Sequence, residues 1–381
     1  MKFFHLSDLH LGLKLLGRDL GEDQRYILDQ IAEAARREQP DAILIAGDIY
    51  DKAIPPAEAV TLLDDFIVAL CAAAPQAEIM LISGNHDSAA RLNLFRGLLC
   101  RQRVHMIGLP PRGPEERIER VRLTDAWGAV DFYLLPFVRP SMVRGIVEPD
   151  GDGALSYDRA VRGLLAREEI DPAARSVLVS HQFYLAAGTQ AADVLRTDGE
   201  IRMVGDIDQV SAEALSPFDY AALGHLHRPT VLMDGRARYC GTPLACSVSE
   251  AGQQKAILRV ELREKGSLQV TPIPLEPLRA VRVIRGTLDE VLAQACEDFA
   301  SVVLTDKVDL DVIDMRDRLS AAFPNLLQVQ REGLTSPQDL PRAEMAAQLS
   351  PFELCARFLG DPDEAAQALL QDVINAVKEA Q

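Results

Sequence analysis

Between Met1 and about Leu99 the chain alternates short apolar runs with longer amphipathic ones. KFFHLS is followed by EDQRYILDQIAEAARRE, DAILIAGD by PAEAVTLLDDFIVALCAAA, and EIMLISGN by a segment from Ser88 to Leu99. The first kind has strand length and the second carries apolar residues at helical spacing, so the order predicts a β-α-β series with parallel strands. From Val104 to Phe137 the runs shorten between Gly and Pro, and VRLTDAWGAVDFYLLPF reads as a hairpin across Trp127 and Gly128. Apolar strands return as SVLVS near Ser176 and YAALG near Tyr220; VLMDGRARYCG and AILRVELREKGSLQVTPIPL predict further antiparallel strands. The pattern predicts an α/β fold, a mixed two-sheet sandwich flanked by helices.

A Pro-rich join, PIPLEPLR, marks a boundary, so residues 1–274 form one large domain. Beyond it RAVRVIRG, TLDEVLAQACEDF, ASVVLTDK, VIDMRDRLSAAF and NLLQVQRE predict a small β-α-β-α-β domain over 275–335. Residues 336–381 open within the polar EGLTSPQDLPRAE stretch and close with two helices, SPFELCARFL and DEAAQALLQDVINAVKEAQ, whose Ser350 and Asp361 suit N-caps. Phe352, Phe358 and Leu359 in the first, and Leu370, Ile374 and Val377 in the second, form apolar faces too large to cover one another.

Composition changes this picture little. A chain of 381 residues exceeds one ordinary domain, and its apolar and charged fractions, 48% and 25%, are those of a water-soluble globular protein. The N-terminal apolar segment is broken by His5, Asp8 and His10, which does not suit a secretory signal, and no run reaches a membrane span, so a cytoplasmic protein with no membrane association is expected. Six cysteines are scattered without a C-x-x-C pair, which argues against a zinc or disulfide framework. A formal charge of −17 excludes a protein that grips nucleic acid by overall basicity; a DNA enzyme of this charge needs local cations, bound metal or a partner.

The ends of the strands carry the chemistry. HLSDLHLG ends in Asp8 and His10, LIAGDIYD in Asp48 and Asp51, LISGNHD in Asn85, His86 and Asp87, VLVSH in His181, and YAALGHLH in His225 and His227. Open α/β sheets place ligands beyond the carboxyl ends of their strands. Five of the seven histidines lie at these ends, while His5 falls inside its strand and His105 lacks such company. Residues two apart on an extended segment point the same way, so Asp8 with His10, and His225 with His227, reach one place. Asp, His and Asn without thiolate suit divalent manganese, iron or zinc.

D-x-H, GD-x-x-D, GNHD, a later lone His and GH-x-H, in this order, resemble the calcineurin-like metallophosphoesterase superfamily. LLPFVRP, GDIDQV, FDYAALGHLHRP, CGTPLACSVSEA, DKVDLDVIDMRDRLSAAFPNLL and SPFELCARFL narrow the resemblance to the SbcD family of double-strand-break repair nucleases. The resemblance implies two divalent ions, manganese foremost, with Asp8, His10, Asp48 and His227 on one, Asp48, Asn85, His181 and His225 on the other, and Asp48 bridging. A two-metal site clamps a phosphodiester and activates water, so no protein nucleophile is needed. His86 is the candidate proton donor to the leaving oxygen, with Asp87 either orienting it or capping the helix from Ser88; Asp51 either supports the site or caps a turn.

The resemblance further implies exonuclease and endonuclease action on double-stranded and hairpin DNA. It implies a small α/β capping domain, an SbcC-like ATPase bound through the C-terminal helices, and a homodimer within a heterotetramer. The dimer is expected through the helices Pro56 to Ala74 and Ser88 to Leu99, where Leu62, Phe66, Leu94 and Leu98 form apolar stripes. Arg91, Arg96, Arg101 and Arg103 cluster around one helix and its exit and are candidates for DNA-backbone contact, or an ordinary solvated face. A phosphatase of the same superfamily is the alternative, against which stand GDIYDKA and GNHDS in place of GD-x-V-D-R-G and GNHE.

Overall fold

The computed structural model describes residues 1–149, 154–186, 188, 208–306 and 311–332. The two helices expected after Ser350 lie outside them.

Strands β1 (Lys2–Leu6), β2 (Ala42–Ala46), β3 (Glu78–Ile82) and β4 (Val104–Ile107) run parallel, with α1 (Gly21–Glu38) and α2 (Ala57–Ala73) in the first two crossovers. α1 buries Ile27, Leu28, Ile31 and Ala35 on one face and carries Glu22 and Asp23 in its first turn, Arg36 and Arg37 in its last, as the helix dipole favours. It stops at Gln39, left-handed at φ 46°, just before Pro40, which disfavours a helical residue ahead of it.

The third crossover is not the single helix expected from Ser88 to Leu99. Two single turns, Ala89–Leu92 and Arg96–Leu99, are separated by Phe95 at φ 58°. Only Leu92 is buried in these turns, and the Asn93 side chain accepts from the Gly108 N–H, so the segment is fastened to the loop after β4 rather than propagated as a helix.

The chain then builds a second sheet from β5 (Glu119–Asp125), β6 (Gly128–Leu135), β7 (Arg175–His181), β8 (Tyr220–Gly224), β9 (Thr230–Leu232) and β10 (Ala237–Tyr239), in the order β9-β10-β8-β7-β6-β5. β5 and β6 are the hairpin expected across Trp127. β10 corrects the wholly antiparallel reading of VLMDGRARYCG: it is antiparallel to β9 but parallel to β8. β11 (Lys255–Leu262) joins the first sheet antiparallel to β1, and β12 (Leu268–Leu275) pairs antiparallel with β11, so that sheet reads β12-β11-β1-β2-β3-β4.

Period-two alternation divides the burial between layers. In AILIA of β2, Ala42, Leu44 and Ala46 enter the core between the sheets, while Ile43 and Ile45 join the layer under α1 and α2. Between the sheets Phe3 meets Phe132 edge to face at 5.5 Å, and Met80, Ile82, Val177, Val179 and Val260 fill the remainder. Burying each such side chain is worth about 1.5–3 kcal/mol, and the sum fixes how the two sheets stack.

A third sheet of parallel β13 (Val281–Gly286), β14 (Phe299–Leu304) and β15 (Leu326–Arg331) carries helices Leu288–Leu292 and Val312–Ala322 over its own core of Ile284, Val291, Val302, Leu319 and Phe323. A Thr287–Glu290 capping box starts the first helix, and Asp311 caps the second. Arg279 fastens this unit to α1, donating to Asp23 at 3.0 and 2.7 Å and to Glu22 at 2.6 Å. The five described cysteines are free thiols, and no described helix is long and apolar enough to cross a membrane.

Candidate metal centre

The carboxyl ends of β1, β2, β3, β7 and β8 meet at one edge of the sandwich, and glycines let them meet closely. A Cβ on Gly84 would lie 2.1 Å from Asp48 Oδ1, one on Gly47 2.3 Å from the His181 ring, and one on Gly224 1.9 Å from the Ala46 carbonyl. Only glycine permits these approaches.

The side chains converge by turning, not by extended alternation as expected. Asp8, His10, Asp48 and His225 have φ of 54°, 43°, 48° and 105°. Such residues cost about 1–3 kcal/mol each and persist where surrounding structure holds them. Here the Asp8 and His10 N–H groups donate to the carbonyls of Gly47 and Asp48, and the His225 N–H donates to Asp8 Oδ1 at 3.0 Å. Gln24 of α1 completes the first loop, donating to the His10 carbonyl at 2.7 Å and accepting from the Gly12 N–H.

Two groups of donor atoms result. His10 Nε2 lies 3.1 Å from His227 Nε2, and these with Asp8 form a trio whose ligand atoms all lie within 4.8 Å. His181 Nε2 is 3.0 Å and His225 Nδ1 2.9 Å from Asn85 Oδ1. Asp48 stands between the groups, its Oδ2 3.3 Å from His181 Nε2 and 3.8 Å from His10 Nε2. Asp8, His10, Asp48, His181, His225 and His227 are buried.

The chemistry of this set fits cations. His181 Nδ1 faces the Ala46 carbonyl at 2.7 Å, an acceptor only, so Nδ1 carries the ring proton and the Nε2 lone pair faces two further acceptors, Asn85 Oδ1 and Asp48 Oδ2. In this arrangement a positive charge among them is favourable. Without metal a proton supplies it: burial alone would lower the His181 pKa, but Asp48 raises it to about 9. Burial opposes the Asp48 anion, yet the imidazoles around it, His181 first, hold its carboxyl below the ordinary range. Burial pushes the Asp8 carboxyl up to about 6 and, with His227 beside it, the His10 imidazole down to about 3, leaving a neutral ring able to ligate.

His86 sits at the rim, its side chain 15% exposed, with Nε2 3.9 Å from Asp48 Oδ2. Asp87 neither orients it nor caps a helix. The Asp87 carboxylate accepts from the N–H groups of Ile49, Tyr50 and Gly84, stapling the loop after β2 to the loop after β3. The partner of His86 Nδ1 is the backbone carbonyl of Asp51 at 2.9 Å, so that position serves through its main chain; its own carboxyl is shifted up by burial. His5 bonds Tyr220 and the Leu223 carbonyl, and His105 bonds Glu78.

The four candidate arginines are exposed but do not share one helix. Arg96 pairs with Glu119 at 2.9 Å, and Arg103 donates to the Gln76 carbonyl beside Glu78. Leu62 and Phe66 of the expected dimer stripe are buried beneath α2, whereas Leu94 and Leu98 are exposed together with Phe95.

Sequence reasoning missed Gln24, a buried amide on the apolar face of an amphipathic helix, a signal readable from helical spacing. It also missed Glu250, buried 3.5 Å from His227 Nδ1 and paired with Lys255. Burial opposes ionisation of Glu250, but His227 and Lys255 bring its pKa down to about 2. Nothing in CGTPLACSVSEA distinguishes this acid from a surface one.

Residues 1–229 match the family described as calcineurin-like phosphoesterase, and residues 277–361 match the type 5 capsule protein repressor C-terminal domain. The SbcD component of the SbcCD nuclease from Staphylococcus epidermidis is 28% identical over 356 residues, spanning 91% of this chain and 90% of that protein. Among solved structures, TT1561 of Thermus thermophilus is similar at 13% identity and TM-score 0.39, covering 71% of this chain and 98% of its own. A dimetal phosphatase from Danio rerio is similar at 15% identity and TM-score 0.41, covering 72% and 99%.

Proposed function

The chain belongs to the calcineurin-like phosphoesterase family, a family of metal-dependent hydrolases, and from that premise we propose that it is the nuclease subunit of an SbcCD-type complex, cutting phosphodiester bonds in duplex and hairpin DNA. The observation that carries this beyond a generic phosphoesterase is that the likeness to a nuclease subunit extends over 91% of the chain, well past the metal-bearing strands.

Asp8, His10, Asp48 and His227 would hold one divalent ion and Asp48, Asn85, His181 and His225 the other, with manganese the proposed pair. Bound metal supplies positive charge against the phosphate oxygens and acidifies water for in-line attack. The protein does the rest. Neutral His10 offers a lone pair, and Asp48, an anion between the two groups, serves both. The Asp51 carbonyl accepts from the Nδ1–H of His86, which leaves Nε2 on the side of Asp48; in the imidazolium form Nε2 also carries a proton, the one it can hand to the departing sugar oxygen. Asp87 keeps the Asp48 and Asn85 loops in register.

Overall acidity is reconciled with a DNA substrate if an ATPase partner, bound through residues 350–381, carries much of the grip, with Arg91 and Arg101 as exposed cations on this chain. The test is Mn2+-dependent cleavage of labelled duplex, hairpin and single-stranded DNA beside a small phosphomonoester. His86→Ala is expected to keep two Mn2+ per chain and DNA binding while losing turnover by about 10²–10⁴-fold. Hydrolysis of the monoester with no DNA cleavage, with or without the partner, would reject the nuclease reading.

A further inference from the structure

Outside the metal-bearing loops, one buried network ends on a ligand. Glu250, 1% exposed, lies in a turn between β10 and β11. Its Oε2 accepts from Lys255 Nζ at 2.5 Å and from the Thr242 hydroxyl at 2.8 Å. Its Oε1 accepts from the Ser247 hydroxyl at 3.0 Å and the Cys246 N–H at 3.2 Å, and faces His227 Nδ1 at 3.5 Å. Lys255, also buried, is held by Thr242 at 2.8 Å and Gln253 at 3.2 Å, and the Thr242 N–H donates to the His227 carbonyl. The network therefore grips both the backbone and the ring of His227.

Burying a carboxylate and an ammonium together costs more than filling the same space with apolar side chains, so packing alone does not account for the pair. The ring of His227 does. A neutral imidazole carries one N–H, and its two tautomers differ in which nitrogen offers a lone pair. With a carboxylate at Nδ1 the proton stays there, and Nε2, 3.1 Å from His10 Nε2, presents its lone pair to the place the two rings share. Without the carboxylate the other tautomer, which aims an N–H at that place, competes, and a cation binds there only by displacing it.

We propose that Glu250, locked by Lys255, is a positioning residue that fixes the tautomer and orientation of His227 and so sets the affinity of one of the two metal positions, the one formed with Asp8 and His10. This rests on the metal reading of the site. Glu250 touches neither that position nor a substrate; it acts through the imidazole.

The test uses the full chain stripped of metal and titrated with Mn2+ by calorimetry, with electron paramagnetic resonance reading the coupled ion pair. Wild type is expected to take up two ions. Glu250→Gln should weaken one of them by about 10–100-fold, leave the other within about twofold, and delay the coupled-pair signal to higher Mn2+. Turnover should recover as Mn2+ is raised, a split that general loosening of the fold does not produce. Should Glu250→Gln leave Lys255 unpaired and the chain unfolded, the double variant E250Q/K255M removes that charge and carries the same expectation. A folded variant binding both ions as wild type does, or losing both equally, overturns the inference alone. A wild type that takes up no Mn2+ overturns the metal reading with it.

Discussion

Backbone angle and side-chain type act together in the site. Asp48 can stand between two groups of donors because it is left-handed and because Gly84 leaves room for its carboxylate. Gly84→Ala places a methyl 2.1 Å from Asp48 Oδ1, so Mn2+ content and activity should fall by more than about tenfold while circular dichroism reports an intact fold. Residue types at strand ends were legible because aspartate, asparagine and histidine are out of place after an apolar run; the positive φ angles were not, since loop contacts impose them. His5 shows the converse, a histidine read as structural that proves to join the sheets. Its Nε2–H donates to the Leu223 carbonyl at 3.2 Å and its Nδ1 accepts from the Tyr220 hydroxyl at 2.9 Å, and burial lowers its pKa to about 3. The unfolded chain binds a proton at His5 below pH 6.5 while the folded chain does not until about pH 3, so stability is lost between those values as pH falls. The slope is about 1.4 kcal/mol per pH unit from this group. Asp8 and Asp87, raised to about 6, contribute with the opposite sign, so the measurement is a difference. Urea unfolding of the metal-free protein should show a steeper acid loss for wild type than for His5→Gln, and parallel curves would refute it.

At the scale of elements, alternation and helical periodicity identified the strands of the sandwich and the helices α1 and α2, because each buries a regular stripe. The segment after β3 defeated the same reasoning. Its apolar residues recur at helical spacing, yet Leu94, Phe95 and Leu98 are 57%, 70% and 62% exposed, while Leu92 packs inward and Leu99 does so in part, so periodicity there does not report one core-facing helix. Leu62 and Phe66, periodic in the same way, do face the core. An exposed apolar group of this size on a short, broken element is what a homodimer contact would use, and the proposed dimer is correspondingly narrower than a four-residue stripe. Leu94→Glu with Leu98→Glu should shift the protein from dimer to monomer in sedimentation velocity without changing Mn2+ uptake. A wild type that stays monomeric at every concentration would remove the dimer instead.

For the whole molecule, the sequence carried the two-sheet sandwich and the small α/β unit because Pro-rich punctuation and repeated β-α alternation survive without knowledge of contacts. It did not carry the attachments between them: Arg279 reaching Asp23 and Glu22 links positions more than 250 apart in the chain, and no local pattern announces such a pair. Composition alone was ambiguous, since a net charge of −17 speaks against a nucleic-acid enzyme acting by its own basicity. The proposed resolution is division of labour, with this chain cutting and an ATPase holding the duplex, and it makes the last 32 residues, 350–381, the decisive segment. Their apolar residues at helical spacing suit a helix laid in a partner's groove. The described metal centre draws no residue from beyond Glu250, so removing this segment should leave Mn2+ binding and cleavage of single-stranded DNA within about twofold of the full chain. Co-purification with the ATPase and ATP-dependent processing of duplex ends should be lost together. Undiminished binding of the truncated chain to the ATPase would place the contact elsewhere, and loss of Mn2+ binding would show that the segment folds back to support the body.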